Sequence, residues 1–395
     1  MNQPFSNAQR RFLVLLTLFI IPTSGLSVDI YIPSLPAMTQ FFHTDKALIQ
    51  LTITLYMFGM GIMQVFAGAI SDSFGRKKPF LLGSFFYVLS NLIIPLIPNI
   101  YVLLSLRLLQ GIAVGLLVVP LRSIIPDLFS GKEMHKMMSY VVMAWSIGPI
   151  VAPLIGGYLQ ECFGWQANFY FLFIYSLIGF LLVLFYMPET SVHRHPFSAK
   201  IIFSNAKEIL SDRDYVRGLI SNGLLYSVII LFAVVAPFII QNVLHFSAVQ
   251  FGHVALLIGV AWFFGSLTNR VTIHIPPAQK IKFCLSLMLV VNVIMLLVAI
   301  ISPLKIYTFM IPICFLTYLG GIVFPNYFSN ALALFPTKTG SANALMGAAV
   351  FMIPSIISAF GTLLKSNTQL PLTMAYLAIV IICLVLCYVL RGRAG

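Results

Sequence analysis

The residues best placed to do chemistry are a lone carboxylate and a lone guanidinium set in apolar sequence. Asp29 stands in Ser27-Val28-Asp29-Ile30-Tyr31-Ile32-Pro33-Ser34-Leu35-Pro36, at the close of the first long apolar segment, and Arg107 stands within the fourth. Apart from Arg107, no other charge is read as lying well inside an apolar segment. A charged side chain at the centre of a membrane helix costs roughly 2.5 to 3.5 kcal/mol, so such residues face a protein interior and mark substrate or proton pathways. Burial favours the neutral form of an acid and a neighbouring arginine favours its anion; proton transfer needs the two influences to alternate. At ~1.5 Å per residue, Asp29 lies about 27 Å along its helix from Arg11, and Arg107 lies about 10 Å from the start of its own. Both are expected in the outer half of a membrane at similar depth.

The elements that must hold this pair follow from composition. A chain of 395 residues that is 60% hydrophobic and 8% charged is a polytopic membrane protein. Apolar runs of about 20 residues predict twelve helices, over 12–35, 47–70, 80–97, 100–125, 137–160, 167–187, 217–241, 250–272, 282–301, 305–334, 341–364 and 371–390. The net charge of +13 is scattered over the hydrophilic gaps and forms no nucleic-acid patch. Alternate gaps hold Arg10, Arg11, Arg76, Lys77, Lys78, Lys132 and Lys136, and the others only Lys46, Lys305 and Lys365. That asymmetry predicts both termini on the cytoplasmic side. The five cysteines have no metal-type spacing and are expected as free thiols, with no metal site. Asn2 to Arg11 with the apolar run that follows is read as an uncleaved first span, since it runs too long for a signal peptide and lacks a small-residue cleavage site.

One long polar gap, Pro188 to Asp214, divides the helices six and six. Domains are expected at 1–187 and 215–395, with 188–214 as a cytoplasmic linker. Within it Ile201, Ile202, Ile209 and Leu210 predict one face of a helix on the inner membrane surface, and His193-x-His195 reads as solvated loop in preference to a metal ligand pair. In the fifth span, Gly148, Gly156 and Gly157 lack the side chains that keep backbones apart, while Pro149 and Pro153 kink the helix; their expected role is close helix contact.

Two six-helix halves resemble the major facilitator superfamily, an all-α membrane fold whose site lies near the midplane between the halves. The motifs narrow the resemblance. Gly68-Ala69-Ile70-Ser71-Asp72-Ser73-Phe74-Gly75-Arg76-Lys77-Lys78 looks like that superfamily's loop between helices two and three. Leu106-Arg107-Leu108-Leu109-Gln110-Gly111 resembles the fourth-helix motif of proton-coupled members, and Gly148 to Gly157 is similar to the fifth-helix antiporter motif. With Asp29-Ile30-Tyr31-Ile32-Pro33 and Met187-Pro188-Glu189-Thr190, these resemble the Bcr/CflA branch of drug:proton antiporters. In the second half the likeness rests on Phe324-Pro325-Asn326 and Gly340 to Leu345. Gln166 departs from the Arg common in the branch, and Ile21 stands where some drug exporters carry a second acid.

The resemblance implies a bacterial inner-membrane transporter, not an enzyme, working as a monomer on a small-molecule substrate with the proton as coupling ion and no cofactor. It implies coupling through Asp29 and Arg107, on first and fourth helices that are neighbours on the central cavity, so that contact between the two charges is expected to be feasible. It also implies a conformational latch built from Gly68, Asp72, Gly75, Arg76 and Asp127, with Asp72 facing the start of the eleventh helix near Gly340 and Ser341. Substrate contacts are expected among Tyr31, Tyr56, Met143, Trp145, Asn222, Tyr226, Asn326 and Asn330, foremost Tyr31 and Asn222, each of which equally suits helix packing. Three functions stay open: proton-coupled export of amphipathic compounds, a dedicated carrier of one polar metabolite, and a membrane receptor or enzyme without transport.

Overall fold

In hydrocarbon every backbone N–H and C=O must be paired within the segment, so long apolar stretches become helices. The computed structural model describes residues 5–191 and 196–388, with no strand among them. Among the described residues twelve helices are long and apolar enough to span a membrane: α1 (Asn7–Phe41), α2 (Lys46–Phe74), α3 (Lys77–Leu96), α4 (Ile100–Leu128), α5 (Gly131–Phe163), α6 (Gln166–Tyr186), α7 (Arg213–Val243), α8 (Ala248–Val271), α9 (Pro277–Ile301), α10 (Ile306–Ala333), α11 (Pro336–Gly361) and α12 (Leu370–Tyr388). Local chemistry fixes several starts. Asn99 accepts from the Tyr101 and Val102 amides at α4, Asp212 accepts from Tyr215 at α7, and Ser247 with Gln250 forms a capping box at α8.

α1 is not one rod. Helix Asn7–Ile20 gives way to a short helix Thr23–Asp29, a tight turn Ile32–Ser34 and a last helix Leu35–Phe41. Pro22, Pro33 and Pro36 lack the N–H that a continuous ladder requires, so the chain breaks at them. Hydroxyls take up carbonyls near the breaks: Thr23 donates to Ile20 at 2.6 Å and Ser27 to Thr23 at 2.5 Å. Asp29 thus ends a helix of seven residues, ahead of a bend.

The two halves meet along α2 with α11 and α5 with α8, where glycines allow backbones to touch. A Cβ on Gly157 would press on the Ala248 carbonyl, one on Gly252 on Pro153, and one on Gly61 on Met352. The directional bonds between halves lie toward the Lys46 end of the bundle. Lys46 donates to the Leu364 carbonyl at 3.1 Å and to Ser366 at 2.7 Å. Gln50 donates to the Val234 carbonyl at 2.7 Å, Gln241 to the Pro33 carbonyl at 2.9 Å, and Thr54 shares a hydrogen bond with Ser358 at 2.8 Å. At the other end, the basic face carrying Arg76 to Lys78, no described hydrogen bond joins the spanning helices of the two halves, and Tyr140, Met143 and Ile147 on one side of α5 are exposed. The described hydrogen bonds thus close the space between the halves at the Lys46 end.

The linker carries the expected helix, Ala199–Leu210, but only part of its apolar set docks. Ile209 is buried with Tyr215, Ala331, Ala342 and Met346, whereas Ile201 and Leu210 remain exposed. His193 and His195 lie outside the described residues.

Candidate functional site

Arg107 is wholly buried, and the sequence around it is shaped to hold a cation without an acid. Its Nη2 donates to the Ser27 carbonyl at 3.1 Å, Nη1 to Gln110 Oε1 at 2.7 Å and Nε to the Thr52 carbonyl at 3.4 Å. Its guanidinium carbon lies 4.6 Å from the Tyr31 ring centroid and 4.4 Å from that of Tyr56. Hydrogen bonds from a charged donor contribute about 1.5–3 kcal/mol each and a desolvated cation–π contact about 2 kcal/mol, enough together to offset burial of the charge. The cage extends outward: Gln110 donates to Asn91 at 3.0 Å, Asn91 to the Tyr87 carbonyl at 2.8 Å, and Tyr31 shares a hydrogen bond with Thr52 at 2.9 Å.

Asp29 therefore does not pair with Arg107, against the expectation that the two charges would meet: the donors of Arg107 go to carbonyls and Gln110, and its faces are covered by rings. Asp29 is half-buried and makes no hydrogen bond or ion pair with any described residue. Its charge lies within electrostatic reach of Tyr31, Tyr56 and, across the cleft on α7, Tyr226. The carboxylate faces the space between the halves.

Tyr226 belongs to a nest of rings. Trp262 of α8, Phe324 of α10 and Phe351 of α11 have centroids 6.5, 6.1 and 6.3 Å from its own. Of the remaining expected contacts, Tyr31 and Tyr56 are fully buried against Arg107. Asn222 is buried with its amide toward Met346 Sδ at 3.7 Å. Asn326 is buried and donates to Asn269 at 2.7 Å and to the Ile322 carbonyl at 2.7 Å. None of these four presents surface to a ligand in this conformation; the Asn222 Oδ1 is buried with no hydrogen-bond partner among the described residues. Met143 and Asn330 are exposed.

Sequence reasoning passed over Arg122. It lies in α4, partly exposed, with its guanidinium carbon 5.9 Å from the ring of Trp145, and it forms no ion pair among the described residues. The legible signal was its position six residues before the end of α4, still within apolar sequence. Trp145 is in turn held by its Nε1–H, which donates to Ser24 at 2.9 Å.

At the basic face a second cluster forms within the first half. Arg76 donates from Nε to Asp127 at 3.0 Å, pairs with Asp72 and donates to Ser71 at 2.9 Å. Burial works against the charge of Arg76, but the bonds to Asp127 and Asp72 outweigh it and hold the guanidinium above its usual pKa. Glu189 accepts from the Arg76 amide at 2.8 Å and the Lys77 amide at 3.3 Å, capping α3. Its carboxyl occupies the space a Cβ on Gly75 would need, and Gly75 sits at φ +88°, so glycine serves there twice. Gly68 has open space beside it. No described bond joins Asp72 to the start of α11; there Lys338 pairs with Glu208 and Asn205 donates to Ser341 at 3.3 Å.

The α5 motif is a packing device. A Cβ on Gly156 would overlap the Ile30 carbonyl, one on Gly148 would press on the Pro22 carbonyl, and Pro149 lies against Gly25. Gly157 and Pro153 serve the α8 side of the same helix. Through Gly148 and Gly156, α5 braces the short segment that carries Asp29.

The Major Facilitator Superfamily profile matches residues 17–359. The chain is 27% identical to the bicyclomycin resistance protein homolog of Haemophilus influenzae over 399 aligned residues, covering 100% of this chain and 98% of that one. It is 24% identical to multidrug resistance protein D of Escherichia coli, covering 94% of each. Among solved structures, a POT family transporter in complex with 5-aminolevulinic acid superposes with a TM-score of 0.75 at 12% identity, over 96% of this chain and 95% of that one. That likeness carries the fold, and the profile match carries the superfamily. The twelve apolar helices among the described residues and these matches together show that the chain is a multi-pass membrane transporter, not an enzyme, and belongs to the Major Facilitator Superfamily.

Proposed function

We propose that this protein is a proton-coupled exporter that moves small amphipathic compounds out of the bacterial cytoplasm by alternating access. The observation that supports the reading is Asp29, a carboxylate within electrostatic reach of Tyr226 in the other half and with no counter-ion among the described residues. In the orientation set by the lysines and arginines, the open basic face is cytoplasmic and the Lys46 end is closed to the outside. Cargo enters from the cytoplasm, the halves rock, and Asp29 takes a proton from outside once the cleft opens there; on return it releases that proton inward. A proton moving down 100 mV supplies about 2.3 kcal/mol to the cycle.

Arg107, fixed by carbonyls and two tyrosines, leaves Asp29 free to titrate in the cycle. The ring nest around Tyr226 offers a flat apolar surface of the kind amphipathic compounds need, in keeping with the drug-resistance names of the relatives. In the opposite conformer the half-exposed Asp72 closes on the start of α11, where helix N-terminal amides favour an anion, and latches the basic face. The protein acts as a monomer in the inner membrane, both termini inside, without cofactor.

The test is transport in proteoliposomes with an imposed pH gradient and a panel of lipophilic dyes and antibiotics. Asp29→Asn should abolish gradient-driven uptake and cargo-induced proton release while leaving cargo binding measurable. Undiminished proton release in that variant removes the coupling role.

A further inference from the structure

We propose that Arg122, with Trp145 beneath it, is an oxyanion-binding subsite of the cleft, so that the cargo carries a carboxylate or similar anionic group beside a flat apolar body. The inference rests on the transporter reading above and names the substrate class of the same cleft. The described ion pairs and hydrogen bonds leave the guanidinium of Arg122 unused. Asp127, the nearest acid in sequence, is committed to Arg76 and accepts from Thr190 at 2.9 Å.

The obvious alternative is a topology signal, a basic side chain reaching for the headgroups at the basic face. Geometry argues against it. In a helix the Cα–Cβ bond tilts toward the N-terminus. α4 runs from the Lys46 end toward the basic face, so the side chain of Arg122 is aimed back toward the membrane centre. Its contact confirms the direction. Trp145 lies 14 residues into α5, about 21 Å of rise from the basic face, and is tied to Ser24 on the segment that carries Asp29. A guanidinium directed inward, resting on a ring and lacking an acid, retains its donors for a ligand. Arginine's planar fork matches carboxylate geometry.

The subsite complements the ring nest on the other half. Tyr226, Trp262 and Phe324 provide apolar faces without charge, while Arg122 and Trp145 provide charge and one further ring. A cargo bridging both would hold an aromatic or alicyclic body against the second half and its anion against the first.

The experiment measures equilibrium binding, independently of flux, by quenching of the intrinsic tryptophan fluorescence in neutral detergent. The probes are 4-nitrobenzoate and its uncharged counterpart 4-nitrobenzamide. The wild type should bind the carboxylate about tenfold or more tightly than the amide. Arg122→Lys should keep part of that preference. Arg122→Met should abolish it and also raise the thermal midpoint of the ligand-free protein, because an unpaired charge is replaced by an apolar side chain of similar length. A wild type with no preference, binding of neither probe, a preference that survives in Arg122→Met, or a lowered midpoint in that variant each overturns the assignment. Repeating the titration in nanodiscs with and without phosphatidylglycerol separates cargo from lipid: if the anionic lipid eliminates the preference, the partner of Arg122 is a headgroup and the cargo assignment is wrong. Failure of Asp29→Asn to impair proton coupling would instead strike the transporter reading and leave this binding result standing.

Discussion

Closure of the cleft at the Lys46 end should be tunable by one side chain. Lys46 donates to the carbonyl of Leu364, just past the end of α11, and to Ser366, and both bonds join the two halves. They exist only while that end is closed, so Lys46→Ala removes stabilisation from this conformer and none from its opposite. A net intramolecular hydrogen bond contributes about 0.5–1.5 kcal/mol. Lys46 is half-exposed, which argues for the lower part of the range, so two bonds amount to about 1–2 kcal/mol. That corresponds to a shift of roughly 5- to 30-fold toward the conformer open at the Lys46 end. The shift can be read by double electron–electron resonance between labels on α2 and α11 near that end, in a background without the exposed Cys162, or by maleimide labelling of a cysteine placed at Val234. Thr54→Val, which removes the bond to Ser358, should move the same equilibrium in the same direction. An unchanged distance distribution in both variants would refute the reasoning, since it would mean that helix packing alone holds the gate.

Further outcomes follow from the same contacts. Gly156→Ala drives a methyl into the Ile30 carbonyl and should lower stability by about 1–3 kcal/mol, visible as a reduced thermal midpoint, with Gly156→Val worse. Glu189→Ala uncaps α3 by releasing two amides and should cost about 1 kcal/mol in unfolding measurements. Arg76→Ala leaves Asp72 and Asp127 facing one another without their cation, and should destabilise by more than Glu189→Ala; adding Asp127→Asn should restore part of the loss, as a double-mutant cycle would show. Asp72→Asn should leave this conformer's stability little changed, because its side chain is half-exposed, yet alter cysteine accessibility at the Lys46 end through loss of the latch in the other conformer.

The spans were legible because hydrocarbon admits little else: an apolar run of the right length must be a helix, and its ends fall where charge or a cap resumes. The glycines of α5 were legible for a related reason, since their spacing places Gly148 and Gly156 on the face toward α1 and Gly157 on the face toward α8. The break in α1 could be inferred from its prolines, although the apolar pattern runs straight through it. What sequence could not convey was who faces whom. Asp29 and Arg107 share a depth, yet carbonyls of Ser27 and Thr52 claim the guanidinium, and main-chain acceptors leave no mark in composition. Tyr31 and Asn222 carry the right chemistry for a binding wall but are spent on packing, whereas Trp262 and Phe324 were indistinguishable from lipid-facing aromatics until α8 and α10 brought them together. Arg122 was missed because a basic residue near a helix end usually reports topology; only the direction of its side chain separates the two roles.

The closed end of the cleft also has an asymmetry of information. Lys46, Gln50, Gln241 and Ser355 each reach across to a peptide oxygen, on Leu364, Val234, Pro33 and Thr54 respectively. A peptide oxygen is present whatever residue occupies the position. Mutational drift on the accepting side is therefore nearly silent with respect to these bonds, while drift on the donating side is not. A saturation scan scored for closure should consequently be lopsided, intolerant at Lys46, Gln50 and Gln241 and permissive at Leu364 and Val234, so that half of this gate is written in a code that sequence comparison does not read.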